Sequence, residues 1–401
     1  MKSRDLETLN IFADKVLAYR RDGKPAPKID EPSEADFTFL EFFAGGGMAR
    51  LGLGARWRCL FANDFDTEKR AAYGANFGFD HHRGGDIHSL SLADLPEECA
   101  DLAWASSPCQ DLSLAGARAG LKGAKSSAFF GFWRLIEALH DAGRAPRSIV
   151  IENVAGLLTS HDGGDFAEIA RLFVERGYAP SAFLLNADGF APQSRPRLFI
   201  LGVKDAAPIP AGDDADEKIA AGVARMARKV ASRWRWITLP PARGRNRNLI
   251  DILEKNAPLD PLARTRKLLA EMTPLQRRRI DVLARSGGAH AGAAFRRIRL
   301  ENGERKPRIE ARFDGLAGCI RTPAGGSSRQ IIFLIDNGKV RSRLMTPREA
   351  ARAMGLGDDY NLPEGSTAAL KLIGDGVAPP VVRHLAEYAI EPALSKARAA
   401  A

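Results

Sequence analysis

Leu102-Ala103-Trp104-Ala105 is an apolar run without alternation, stopped three residues later by Pro108, and Cys109 follows directly. Side chains that are apolar on both sides of the pleat must be covered on both faces, as in a parallel sheet clad in helices. Pro108 fixes one backbone angle and removes a ladder donor, so the chain turns there. In open α/β sheets ligands bind at the carboxyl ends of the strands, and Cys109 stands at one of them. A lone cysteine is more often a small buried apolar residue than a nucleophile. The company it keeps along the chain decides between the two readings.

That company is a series of strand ends. Phe37 to Phe43 reads as a strand, Ala44-Gly45-Gly46-Gly47 as a turn and Met48 to Leu53 as a helix start. Strand, glycine turn and helix form the first unit of a nucleotide-binding α/β fold, where a ligand approaches the backbone and an anionic group meets the helix start. The spacing is not Gly-x-Gly-x-x-Gly, which argues against a nicotinamide dehydrogenase. A second strand, Cys59 to Asn63, ends in Asp64-Phe65, with the carboxylate placed for a ribose hydroxyl and the ring for stacking on a base. A third strand end offers Asp86-Ile87.

Beyond Cys109, Asp111 to Ser127 is rich in Gly, Ala, Ser and Lys and reads as a loop of the kind that closes over a substrate. Phe129 to Leu139 has a helical pattern, and the strand Ser148 to Ile151 carries Glu152-Asn153-Val154 at its tip. A partly desolvated carboxyl beside the cysteine-bearing strand is suited to carrying a proton. Gln193-Ser194-Arg195-Pro196-Arg197 precedes a further strand, and alternation places both arginines on one face, suited to a planar polar or anionic target.

Charge is divided unevenly along the 401 residues. Residues 205–342 hold 28 Lys+Arg against 15 Asp+Glu, while the whole chain has a formal charge of +10. Arginine clusters there, with the aromatic-basic run Trp234-Arg235-Trp236, suit phosphate contacts and a polyanionic partner. Residues 5–20 read as an amphipathic helix and 22–36 as a linker. Four irregularly spaced cysteines give neither a disulfide framework nor a metal site. With no secretory signal and no membrane-length apolar run, the chain is expected in the cytoplasm.

The ordered motifs Phe43-Ala44-Gly45-Gly46-Gly47, Asn63-Asp64-Phe65, Gly85-Asp86-Ile87, Pro108-Cys109-Gln110, Glu152-Asn153-Val154, Gln193-x-Arg195-x-Arg197, Thr346-Pro347-Arg348-Glu349 and Gly374-Asp375-Gly376-Val377 together resemble the DNA (cytosine-5) methyltransferases of bacterial restriction-modification systems. The resemblance implies a Rossmann-like S-adenosylmethionine-dependent methyltransferase domain over 37–204 and 343–401, with a smaller basic target-recognition domain over 205–342. It implies that Cys109 adds to carbon 6 of a flipped cytosine, that Glu152 meets the ring nitrogen at position 3, and that Arg195 holds the base carbonyl. Asn153 would order the catalytic loop and Arg197 support the pocket. For S-adenosylmethionine, leaving as S-adenosylhomocysteine, it assigns Phe43, Ala44, Gly45, Gly46, Gly47, Asp64, Phe65, Asp86, Ile87, Pro108, Asp375 and Gly376, without a metal. Partners would be double-stranded DNA, on the nucleoid, and a cognate restriction endonuclease, for a monomeric enzyme. Glu41 stands where aspartate is usual, Phe65 where tryptophan is common, and Asp375 where asparagine is usual. The rival readings are a tRNA cytosine-5 methyltransferase, whose Cys-Phe-Thr sequence is absent here, and a catalytically silent DNA-binding relative, which would have lost Cys109, Glu152 or Arg195.

Overall fold

The computed structural model describes residues 35–108, 128–301, 303–322 and 329–400. The expected N-terminal helix over 5–20, Cys109 and the loop 111–127 lie outside the described residues. Among the described residues, internal packing divides the chain into two units, one within 28–186, 196–241 and 381–401, the other within 187–195 and 242–380.

The first unit is built on a seven-stranded sheet in the order β3-β2-β1-β4-β5-β7-β6. Its strands are β1 (Phe37–Phe42), β2 (Trp57–Asp64), β3 (His82–Gly84), β4 (Leu102–Ala105), β5 (Ser148–Val154), β6 (Tyr178–Asn186) and β7 (Pro196–Lys204). β3, β2, β1, β4 and β5 run parallel, and β7 is antiparallel to both β5 and β6. All four residues of β4 are fully buried, as an unbroken apolar run requires. Helices α1 (Met48–Leu53), α2 (Thr67–Phe77), α3 (Ala128–Asp141) and α4 (Gly164–Glu175) connect or flank the strands. Asp66 caps α2 by accepting from the amides of Glu68 and Lys69. The buried stripe of α3, including Phe129, Phe132, Trp133 and Ile136, shares a core with β1, β4 and β5, and the ring of Phe132 lies 5.0 Å from that of Phe42. Fully burying side chains of this size contributes roughly 1.5–3 kcal/mol each, which is what holds the helices to the sheet.

Residues 205–241 belong to this unit. Trp234 is 2% exposed and meets Phe166 of α4 edge-on at 5.7 Å. The run Trp234-Arg235-Trp236, which in sequence suggests a nucleic-acid surface, therefore spends its first ring on the core: an indole buries more apolar area than neighbouring charges can keep in water.

The second unit contains a four-stranded antiparallel sheet, β11-β10-β8-β9, from β8 (Ala289–Glu301), β9 (Glu304–Arg312), β10 (Ile331–Asp336) and β11 (Lys339–Leu344). Asn337 and Gly338, both at positive φ, close the β10–β11 hairpin, as an Asn-Gly pair favours. Helices α5 (Leu262–Ala270) and α6 (Pro274–Ser286) supply Leu268, Leu269 and Ile280 to a core with Ala294, Ile309, Ile331 and Phe333. Residues 343–380 group here too. Thr346 caps α7 (Pro347–Ala353) in a reciprocal box with Glu349, whose buried carboxylate also meets Arg343 at 2.7 Å. The Thr346-Pro347-Arg348-Glu349 motif is thus a helix start locked by an ion pair.

Candidate active site

At the end of β1 the chain enters its glycine turn through Phe43, a non-glycine residue at φ +57°. The Ala44 amide donates to the Asn63 carbonyl at 2.9 Å and the Gly47 amide to that of Ala44 at 2.8 Å, so β1 and β2 finish side by side. Gly45 and Gly47 both have positive φ, but for different ends. A Cβ at Gly47 would lie 2.4 Å from the Phe77 ring, whereas none of the described residues lies within 4 Å of a Cβ at Gly45. Gly47 serves the packing of α1 on α2, and Gly45 keeps open space over the turn.

Asp64 stands against that space. One carboxylate oxygen accepts from the Gly45 amide and the other from the Asp66 amide, each at 2.8 Å, which fixes its direction. Burial raises its pKa, with the Asp66 and Gly45 amides opposing the shift. Phe65 beside it is 77% exposed, an unusual setting for a phenyl ring and one suited to stacking on a flat ligand. Asn63 donates to the carbonyls of Arg83 and Gly85 and so ties β2 to the segment before Asp86. Asp86 is exposed and caps the short turn that follows by accepting from His88, while the Ile87 side chain goes into the core.

The second cluster lies along β4 and β5, which are neighbours, with Ala105 opposite Ile151. Asn153 donates its side-chain amide to the Ser107 carbonyl at 3.1 Å and accepts from the Val154 amide, tying down the segment that runs through Pro108 toward Cys109. Because β7 runs antiparallel, its beginning lies at the end of β5, and Val154 is paired with Arg197. Glu152 is 6% exposed, and its Oε1 lies 3.1 Å from the Arg197 Nε. Glu152, Asn153, Arg197 and Pro108 thus share the edge of the sheet that carries Asp64 and the glycine turn.

Arg195 is placed otherwise than the alternation rule expects, because β7 begins only at Pro196 and Arg195 belongs to the second unit. Its side chain is buried, 1% exposed, donating to the carbonyl of Ile320 at 2.7 Å and to those of Gly374 and Gly376 at 2.8 and 2.6 Å. A guanidinium fork engaged with three backbone carbonyls holds the Asp375-Gly376 turn in shape. Gln193 reinforces it, accepting from the Ile320 amide at 2.9 Å and donating to the Ala353 carbonyl. Thr322 donates its hydroxyl to Asp375.

Sequence reasoning noticed Glu41 only as a departure from a pattern. Buried to 1% behind the glycine turn, it accepts weakly from the Arg50 amide, and its Oε2 has no hydrogen-bond partner among the described residues. Burial pushes its pKa up to about 8, against the pull of Arg50. Arg50 donates to Tyr73 at 2.9 Å and lies 4.4 Å over the Phe77 ring, with His81 against both Arg50 and Tyr73. No local pattern announces this cluster, because its members come from β1, α1, α2 and the segment before β3.

The sequence model described as C-5 cytosine-specific DNA methylase matches residues 37–391. Among relatives, the type II methyltransferase M1.ScrFI of Lactococcus lactis subsp. cremoris is 26% identical over 360 residues, spanning 89% of this chain and 79% of that one. The type II methyltransferase M.HhaI of Haemophilus parahaemolyticus is 26% identical over 364 residues, spanning 90% and 96%. Of solved structures, the S. pombe Dnmt2 methyltransferase has a TM-score of 0.57 at 17% identity, spanning 89% of this chain and 99% of that one. The Entamoeba histolytica methyltransferase EhMeth has a TM-score of 0.58 at 14% identity, spanning 90% and 99%. At these identities the structural likeness is one of fold.

Proposed function

This chain belongs to the C-5 cytosine-specific DNA methylase family, a family of S-adenosylmethionine-dependent transferases, and from that premise we propose a sequence-specific enzyme acting on double-stranded DNA through Cys109. The observation that carries the reading is the meeting of Glu152 and Arg197 at the end of β5, beside the β4 segment that Asn153 ties down immediately before Cys109.

Carbon 5 of cytosine is too weak a nucleophile to take a methyl group unaided. Addition of the Cys109 thiolate to carbon 6 makes carbon 5 enamine-like and splits one hard step into easier ones. In this reading Glu152 hydrogen-bonds to or protonates the ring nitrogen at position 3 as the thiolate adds. We assign the arginine roles the other way from the resemblance: Arg197, beside Glu152, to the base carbonyl and its developing charge, and Arg195, bonded to the Gly374 and Gly376 carbonyls, to supporting that turn. Once carbon 5 carries the methyl group, loss of its proton to a base and breaking of the carbon 6–sulfur bond restore the aromatic ring and release the Cys109 thiolate. The target atom is buried in the duplex stack, so the cytosine has to be flipped out.

S-adenosylmethionine supplies the electrophilic methyl group when bound. The residues present fit it. Open space over Gly45 admits a ligand against the backbone, the pinned Asp64 carboxylate retains lone pairs for two hydroxyls, and exposed Phe65 offers a stacking face. Phe43, the glycine turn, Asp86-Ile87, Pro108 and the Asp375-Gly376 turn complete the proposed set. Target recognition is assigned to the second unit, whose residues 242–380 hold 26 Lys+Arg against 15 Asp+Glu. By analogy with the type II names of its relatives, a cognate endonuclease is the proposed partner.

Transfer of labelled methyl groups from S-adenosylmethionine to duplex DNA and to tRNA tests the proposal. Incorporation into duplex DNA alone, lost in Cys109→Ala with cofactor binding retained, is the expected result. Incorporation into tRNA alone, or activity persisting without the thiol, would overturn it.

A further inference from the structure

The β8–β9 hairpin is longer than the sheet it belongs to. β10 pairs with β8 over Ala289–Ala294, so from Phe295 to Glu301 the strand has β9 as its sole paired neighbour among the described residues, closed by a turn in which Gly303 has φ +81°. The two faces of this projecting ribbon differ. On one, Arg297 and Arg299 meet Glu310, Arg308 meets Glu301 and Lys306 meets Glu304, so its charge is largely neutralised. The other face continues the core side of the sheet. Ala294 and Ile309 are buried beneath α5 and α6, and Arg296 meets Glu271 just beyond α5 with two hydrogen bonds of 2.8 Å. Past that point the helices no longer cover it, leaving Ile298 61% and Leu300 73% exposed. Arg305, opposite Leu300, has no carboxylate within ion-pairing distance among the described residues.

We propose that this face, with Ile298, Leu300 and Arg305, enters the major groove of the DNA and helps to set the recognition sequence. The inference rests on the function proposed above. A two-stranded ribbon has the width the major groove admits, aliphatic side chains contact thymine methyl groups there, and an unpaired arginine can take guanine O6 and N7 together. A second copy of this chain is a poorer occupant, since a two-fold contact through this face would set one unpaired Arg305 against another.

The test uses the full chain, with the recognition sequence first mapped from wild-type methylation. Ile298→Ala/Leu300→Ala and Arg305→Ala are compared with wild type for binding to cognate duplex and to duplex with one altered base pair, at fixed salt. The side chains are exposed, so the melting temperature should stay within about 2 °C of wild type. The cognate preference should fall roughly tenfold in each variant, while the salt dependence of the double variant stays that of wild type, its phosphate contacts being intact. Preference unchanged in both variants would overturn the assignment, as would loss of self-association in sedimentation with preference intact. A wild-type protein that neither methylates nor prefers any duplex would instead sink the underlying function, an outcome visible without any substitution.

Discussion

At the scale of single residues, the two arginines of Gln193-x-Arg195-x-Arg197 look alike in sequence and are used differently. Arg197→Lys keeps a cation beside the buried Glu152 but loses the planar fork, so it should lower kcat by about 10²–10³ with a nearly unchanged melting temperature. Arg195→Met should do the reverse, costing at least about 2 kcal/mol in denaturant titrations because buried carbonyls lose their donor. If Arg195→Met kept full stability and lost only turnover, the assignment would be inverted. Glu41 gives a pH signature. Its pKa is raised to about 8 in the folded protein from an ordinary 4.5, so its contribution to stability is complete below about 4.5 and is lost as pH rises through 8. His81 and His82 act in the opposite sense: burial lowers each to about 4, so their contribution is complete above 6.5 and is lost as pH falls toward 4. Wild type should lose melting temperature between pH 5 and 8 relative to Glu41→Gln, which should rise from pH 4 to 6.5 and then level. Parallel profiles for the two proteins would show that the Glu41 carboxyl is not held neutral.

Among the elements, the glycine turn separates two demands that the sequence writes with one letter. Gly47→Ala drives a Cβ into Phe77 and should destabilise the protein by roughly 1–3 kcal/mol. Gly45→Ala meets no atom of the described residues; it should cost about 1 kcal/mol for its positive φ and weaken cofactor binding by calorimetry far more than it weakens the fold. Equal losses of stability would mean that the space over Gly45 is not kept for a ligand. The parallel strands were legible because apolar runs need cover on both faces, and the candidate residues at their ends because chemistry restricts residue type where those runs stop. The reversal of β7 was not, since it depends on which strand edge remains free after β5. It is this reversal that brings Arg197 to Glu152 while Arg195, two residues earlier, falls before the strand. Trp234 was misleading for a related reason: an aromatic among arginines has the same letters on a surface and in a core, and only Phe166 and its neighbours decide.

For the molecule as a whole, the positive charge concentrates in one unit as it does in one segment of the sequence. Residues 242–380 carry 26 Lys+Arg against 15 Asp+Glu, so all of the chain's +10 resides there and the remainder is close to neutral. If several of those cations meet phosphates, DNA affinity should fall steeply with salt, by about 10³-fold or more between 50 and 200 mM for six contacts. A flat binding curve would remove the second unit from DNA recognition. Methylation of cytosine in DNA through Cys109 would be read by mapping 5-methylcytosine at base resolution in DNA from a methylation-free bacterial host expressing the protein. The expected result is methylation confined to one short sequence and absent with Cys109→Ala. Unmethylated DNA from cells containing soluble, cofactor-binding protein, or the same methylation with Cys109→Ala, would contradict it.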